Sequence, residues 1–181
     1  VYRGSRAPWT ANLSYRGTNY LTYANEGYFK ASNASANDWT DLIQLTYALS
    51  TNTPDAAYVQ TIRTYLDVEE VLRYYAVCSL MEYSETALAT GVGDDYAIYR
   101  GMIDPRFRFL FHDSDTVFGE GGTGNIKESI WAMIDSPPTT DPAQRVMFLN
   151  RFMRHPEFAP IYHRTLLELL DTTFSAKQLN P

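Results

Sequence analysis

GDDYAIYRGMIDPRFRFLFHDSDTVFG, residues 93–119, is the stretch on which the fold turns. Tyr96 and Ile98 alternate with Ala97 and Tyr99, the period-two pattern of a half-buried strand. Asp104-Pro105 marks a turn. Phe107, Phe109, Leu110 and Phe111 give a second, strongly apolar strand, which runs into His112-Asp113-Ser114-Asp115. Asp94 and Asp95 stand at the start of the first strand. Antiparallel pairing lays the end of one strand beside the start of its neighbour. The spacing therefore predicts a hairpin over 95–112, with the carboxylates of Asp94, Asp95, Asp113 and Asp115 gathered at one end. Gathering carboxylates is costly unless a cation neutralises them. An all-oxygen donor set suits a hard divalent ion of the Mg²⁺ type. Each acid also has a plain structural reading. Gly-Asp-Asp is ordinary turn composition, and Asp113 and Asp115 suit turn capping or pairing with Arg100 or Arg108.

Helical patterns surround the hairpin. Asn37 or Asp38 is placed to cap a helix carrying Trp39, Leu42, Ile43, Leu45 and Leu49. Pro54 suits the first position of a second helix, with Tyr58, Ile62, Tyr65 and Leu66 as its stripe. Asp67 and Glu70 form an Asp version of the capping box for a third. Its Val68, Val71, Leu72, Tyr75, Ala76, Ser79 and Leu80 follow the 3.6 period, which makes this the central helix. Further helices are expected around 126–134, from Asp141-Pro142 through Phe152, from Pro156 through Leu170, and after Ser175. Residues 1–37, rich in Tyr, Asn, Ser, Thr and Gly, read as extended segments and loops. The expected core is Leu72, Tyr75, Val77, Leu80, Phe109, Phe111, Phe152, Ile161, Leu166 and Leu169, with the central helix against the hairpin. The fold class is α+β and mainly helical, arranged as one domain over 1–181.

The 181 residues suffice to bury a core, and 45% hydrophobic with 20% charged residues is a globular composition. A net charge of −6 with no Lys/Arg run excludes a nucleic-acid surface. No apolar run is long enough to span a membrane. The single cysteine, Cys78, sits in a helical apolar pattern and reads as a small core residue. His155 and His163 read as structural. The Gly-rich loop 119–124 is no Walker loop, because no Gly-Lys-Ser/Thr follows. It reads as a surface loop or as a lid over a strand-end site.

The order of these pieces carries a resemblance. Asp95-Tyr96-Ala97-Ile98-Tyr99-Arg100, followed after a turn by His112-Asp113-Ser114-Asp115-Thr116-Val117-Phe118-Gly119, resembles the N-Y-Y-L-Y-R and W-D-L-D-x-x-F-G elements of the spore-coat protein H (CotH) kinase family. The helix begun by Asp67-Val68-Glu69-Glu70-Val71-Leu72-Arg73-Tyr74-Tyr75-Ala76 and the junction Arg151-Phe152-Met153-Arg154-His155-Pro156-Glu157-Phe158 are similar to that family as well. The likeness covers roughly residues 40–180. It implies the C-terminal lobe of a protein-kinase-like fold and an Mg²⁺- or Mn²⁺-dependent transfer of the ATP γ-phosphate to Ser or Thr hydroxyls of a protein substrate. By the same likeness Glu85, in the loop Glu82-Tyr83-Ser84-Glu85-Thr86, takes the position of the catalytic carboxylate. Asp113 is the principal metal-holding acid and a second catalytic residue, and Asp95 and Asp115 bind metal and nucleotide beside it. It also implies a bacterial, secreted or cell-surface protein. The family's nucleotide-binding sheet and its basic residue are expected upstream of these residues, so that the chain taken alone is expected to be inactive. Three positions depart from the family pattern: Glu85 stands for Asp, Asp95 for Asn and His112 for Trp. Glu reaches roughly 1.5 Å further than Asp, one carbon–carbon bond.

Two other readings use the same residues. A kinase-like domain without catalysis would serve as a surface binding or structural module. Asp113-x-Asp115 is also the DxD arrangement of metal-dependent glycosyltransferases, but that chemistry needs a doubly wound parallel sheet. Helices clustered about one hairpin disfavour it.

Overall fold

The N-terminal stretch, expected as extended segments and loops, supplies two of the sheet's four strands. The computed structural model describes residues 1–5, 7–83, 95–118, 129–136 and 140–180. Strands β1 (Tyr2–Gly4), β2 (Tyr28–Lys30), β3 (Tyr96–Arg100) and β4 (Phe107–Leu110) form one sheet of order β2-β1-β3-β4, antiparallel at every pairing. The expected hairpin is its β3–β4 half, with Ile98 opposite Phe109. The helices are α1 (Tyr20–Asn25), α2 (Thr40–Leu49), α3 (Asp55–Tyr65), α4 (Val68–Leu80), α5 (Ile130–Asp135), α6 (Phe148–Met153), α7 (Ala159–Asp171) and α8 (Ala176–Leu179). The fold is therefore α+β and mainly helical. An antiparallel sheet among the described residues is not the parallel frame that the DxD transferase reading requires. The Gly-rich loop 119–124 lies outside the described residues.

β1 and β2 are too short to show strand alternation in sequence, and their pairing is set by distant partners. Tyr2 anchors β1. Its hydroxyl donates to Asp41 Oδ1 at 2.6 Å, and its ring lies 5.4 Å from Trp39 and 6.4 Å from Phe107. Gly4 is required by close approach: a Cβ there would fall 2.8 Å from both the Ala11 Cβ and the Tyr96 ring.

α4 and β4 run side by side and are tied at both ends. α4 has 13 residues and is roughly 20 Å long. The six steps from Phe107 to Asp113 also span roughly 20 Å of extended chain. At the start, the Asp67 N–H donates to the Phe107 carbonyl at 3.0 Å. At the far end, Phe118 N donates to Met81 O at 2.7 Å. Between them the Phe109 ring packs edge-on against Tyr74 and Tyr75 at 5.6 and 5.9 Å. α7 covers another face of α4, where Ser79 Oγ and the Tyr162 hydroxyl lie 3.0 Å apart and Arg73 pairs with Glu168.

Asp67 does not cap α4 with its side chain. The carboxylate accepts instead from Arg108 Nε and Nη2 at 3.1 and 2.9 Å and from Arg106 Nη2 at 3.2 Å. Two guanidinium groups from the hairpin outbid one backbone N–H for a nearly buried carboxylate, because charge-assisted bonds are the stronger. The cap residue of α2 is Trp39 rather than Asn37 or Asp38, although Asp38 Oδ1 does accept from Thr40 N at 2.9 Å. Pro54 precedes α3 as its cap residue rather than opening it. The segment after Asp141 breaks into a short 3-10 turn, Pro142–Gln144, and α6. α7 starts at Ala159, three residues past Pro156, with Pro160 in its first turn where no N–H is needed.

Leu72, Tyr75, Phe109, Phe152 and Leu169 are buried as expected, and Val77, Leu80, Ile161 and Leu166 pack against them half-buried. Phe111 is a correction: it is 45% exposed. It shares the inward face of Phe107 and Phe109, but lies past the end of β4 at the rim. There Tyr74 and Tyr83 cover one side of its ring, at 4.9 and 6.0 Å.

Two stability measurements follow. Leu72→Ala should cost about 2–5 kcal/mol in urea denaturation, the range for cavities in a packed core. Asp67→Ala should cost about 2 kcal/mol, near the lower part of the range for bonds to charged groups, because both arginines are partly solvated and keep Asp104 as a partner. A loss under about 0.5 kcal/mol, typical of surface changes, would show that solvent already screens the Asp67 pairs.

Candidate functional site

Residues of the hairpin's open end meet at the C-terminal end of α4. The β3–β4 register, continued past the ladder, sets Asp95 opposite His112. Asp95 is half-buried, while Asp113, Ser114 and Asp115 are exposed. The Asp95 carboxyl is held above the usual carboxylate range. Burial is the main cause, the Asp113 carboxylate adds to it, His112 opposes it, and Asp115 contributes last. Asp113 and Asp115 thus each lie within electrostatic reach of Asp95. Glu85 and Asp94 lie outside the described residues. Among the described residues no three His, Cys, Asp or Glu side chains are close enough to hold an ion by themselves.

The structural reading of Asp113 and Asp115 as partners of Arg100 or Arg108 is not what the protein does. Arg108 is spent on Asp67 and Asp104. Arg100 Nε donates to Pro105 O at 2.7 Å, and its Nη1 lies 3.9 Å from Asp41. Among the described residues neither Asp113 nor Asp115 forms an ion pair. His112 Nδ1 is buried with no hydrogen-bond partner among those residues.

The backbone here is unusual. Glu82, Asp95, Asp113 and Phe118 all adopt left-handed φ, at 51°, 41°, 58° and 54°. Asp tolerates that region, but a bulky Phe does so only when its surroundings impose it. Phe118 is imposed by its bond to Met81. Asp113 is held by Tyr83, whose hydroxyl donates to the His112 carbonyl and, at 2.9 Å, to the Asp113 carbonyl. Sequence reading passes over Tyr83 as filler in the loop that carries Glu85. The available signal is an aromatic residue placed where a helix stops and polar chain begins.

A groove of about 630 Å³ lined by Tyr2, Lys30, Asp41, Tyr99 and Arg100 opens at the other end of β3. It lies well away from the acids. His155 packs at a tilt against Tyr58 and Phe158, and the exposed His163 does so against Trp131 and Tyr162, away from the acids.

An α+β frame whose hairpin carries Asp95, Asp113 and Asp115 at its open end defines a candidate acid-lined site. The CotH kinase protein family matches residues 8–181, and the chain belongs to that family. The match begins at residue 8, so the relationship reaches back through α1 and β2 rather than starting near residue 40. Comparison with curated proteins and with solved structures finds no match. No helix among the described residues is long and apolar enough to cross a membrane.

The direction of the Asp95 shift makes a prediction with a definite sign. A carboxyl raised in the folded state binds its proton more tightly folded than unfolded, so stability falls as pH rises from the ordinary carboxylate value through the raised one. Asp95→Asn removes that burden. It should raise the melting temperature at neutral pH by a small amount, since Asp95 keeps much solvent contact. The gain should vanish below the ordinary carboxylate range. Melting curves at pH 3 and pH 7 check this, and a gain of equal size at both would assign it to packing.

Proposed function

We propose that the chain carries the metal- and acceptor-side acids of a protein kinase of the CotH type, which moves the γ-phosphate of ATP to Ser or Thr hydroxyls. The observation that carries this reading is the gathering of Asp95, Asp113 and Asp115 at one strand end, where burial and mutual repulsion already raise the Asp95 carboxyl. Such a cluster is unfavourable alone and favourable around a cation. The donor set fits Mg²⁺ or Mn²⁺, since these ions take one or two protein carboxylates and complete their coordination with phosphate oxygens and water. Asp113 is the principal ligand in this reading, with Asp95 and Asp115 beside it. The bound ion would neutralise charge on the β- and γ-phosphates.

The chain's own work is to hold acids in place and to receive a proton. Glu85 orients the acceptor hydroxyl and takes its proton as the new oxygen–phosphorus bond forms. The bond from the γ-phosphorus to the β–γ bridging oxygen breaks, and ADP leaves. Family membership supports placing this activity in a secreted or surface-exposed bacterial protein.

A second reading has one observation in its favour. Asp95 stands where the resemblance expects Asn, and one more negative charge opposes the approach of phosphates. That favours a kinase-like binding module without catalysis. Radiolabelled ATP with Mn²⁺ and the full-length protein decides between them. Transfer to the protein itself or to Ser/Thr-rich acceptors is expected. Asp113→Ala should reduce it to background, and Glu85→Gln should lower it by ~10²–10⁴-fold, the range for loss of a general base. No metal-dependent transfer by the wild type would leave the binding module as the better account.

A further inference from the structure

We propose that Tyr83 is the positioning residue of the acid turn: its hydroxyl fixes the backbone at His112 and Asp113 and so sets where the Asp113 carboxylate stands. The proposal rests on the reading of Asp113 as a cation ligand. Tyr83 lies three residues past the end of α4 and is 3% exposed. Its backbone N–H donates to Cys78 O at 2.9 Å, which ties it to the last turn of the helix. Its ring packs 6.0 Å from Phe111. Its hydroxyl donates to the carbonyls of both His112 and Asp113, and Ser114 Oγ approaches the same oxygen at 3.4 Å. One side chain thus contacts three consecutive residues about thirty positions away.

The geometry is specific to a kinked chain. Successive carbonyls of a strand point to opposite sides, so one hydroxyl cannot reach two of them in a straight continuation of β4. The left-handed φ of Asp113 turns its carbonyl to the side of the preceding one. The Tyr83 hydroxyl therefore selects the turn over the straight strand. With the turn fixed, Asp113 leaves the alternation of β4 and its exposed carboxylate is held within electrostatic reach of Asp95. A ligand placed in advance loses less on binding than one that must be ordered by the ion. Tyr83 also stands two residues before Glu85, so the same anchor precedes the proposed proton acceptor.

A packing role and a positioning role make different forecasts. Tyr83→Phe keeps the ring and its contact with Phe111 but removes the hydroxyl. Phe111→Leu removes the aromatic contact and keeps the hydroxyl. Mn²⁺ binding in the presence of ATP, read from the free-ion electron paramagnetic resonance signal, is compared for wild type, Tyr83→Phe, Phe111→Leu and Asp113→Ala, with a melting curve for each. The expected result is a ~10–100-fold loss of Mn²⁺ affinity in Tyr83→Phe, the usual effect of removing a group that orients a ligand. Its melting temperature should stay near wild type. Phe111→Leu should melt lower and bind as wild type. In the metal-free protein, Tyr83→Phe should also speed amide hydrogen exchange at residues 112–114 while leaving β3 unchanged. Wild-type affinity in Tyr83→Phe together with lost binding in Asp113→Ala overturns the positioning role and leaves the function reading intact. Equal losses in Tyr83→Phe and Phe111→Leu overturn it in favour of packing. Equal binding by wild type and Asp113→Ala, or none by either, overturns the ligand reading and this proposal with it.

Discussion

The contact between Asp67 and the two arginines of β4 is the constraint from which the rest of the arrangement follows. Asp67 precedes α4 and is nearly buried, and it takes three hydrogen bonds from Arg106 and Arg108. Its backbone N–H joins Phe107 at the same point. Helix and strand are thus locked at one end in a single register. A one-residue slip of β4 would carry Arg108 off Asp67 and turn Phe107 and Phe109 away from the core. Because α4 and the extended chain from Phe107 to Asp113 have matched lengths, fixing the near end decides what meets at the far end. The acids stand beside the last turn of α4 because an aspartate at its start holds the strand.

The two ends of the hairpin are electrically opposite. At the turn end Arg100, Arg106 and Arg108 are met by Asp41, Asp67 and Asp104. Asp104 is held well below the usual carboxylate range, mainly by its bond to Arg106. At the open end Asp113 and Asp115 have no ion-pair partner among the described residues, and Asp95 is pushed up. A chain evolving for stability alone would have moved one arginine across. Left-handed backbone at Asp95 and Asp113 lies in the same place, and such strain persists only where the surroundings impose it.

Local pattern made the hairpin, its register and α4 legible, because each states its period within a dozen residues. The apolar residues Phe107, Phe109, Leu110 and Phe111 marked the second strand, although Leu110 and Phe111 are exposed. The strands β1 and β2 were illegible for the opposite reason. Three residues show no period, and Tyr2 becomes a strand residue only through Asp41, Trp39 and Phe107. Asp67 was legible as an important residue and misread in role, since its true partners lie about forty positions away. Phe111 fits the apolar pattern, but pattern does not reveal where a sheet runs out of cover. Of the candidate site, antiparallel geometry placed Asp95 near Asp113, and the Asp113 charge does reach Asp95. Tyr83 did not, because a hydroxyl that meets two carbonyls across a fold leaves no mark on the residues beside it.

α4 joins these observations into one mechanical argument. Its first turn is fixed by an ion-pair network, its middle by aromatic packing on Phe109, and its last turn by the bonds of Tyr83 and Met81 to residues 112–118. Packed interiors transmit displacement rather than absorb it. A shift at any of the three levels therefore moves the acid turn relative to Asp95. Carboxylates that repel one another would splay if the turn were free, and the electrostatic cost would be relieved by separation. They stay within reach because the helix beside them is clamped along its whole length. The core thus does more than bury apolar surface: it supplies the stiffness that keeps the Asp113 turn within electrostatic reach of Asp95.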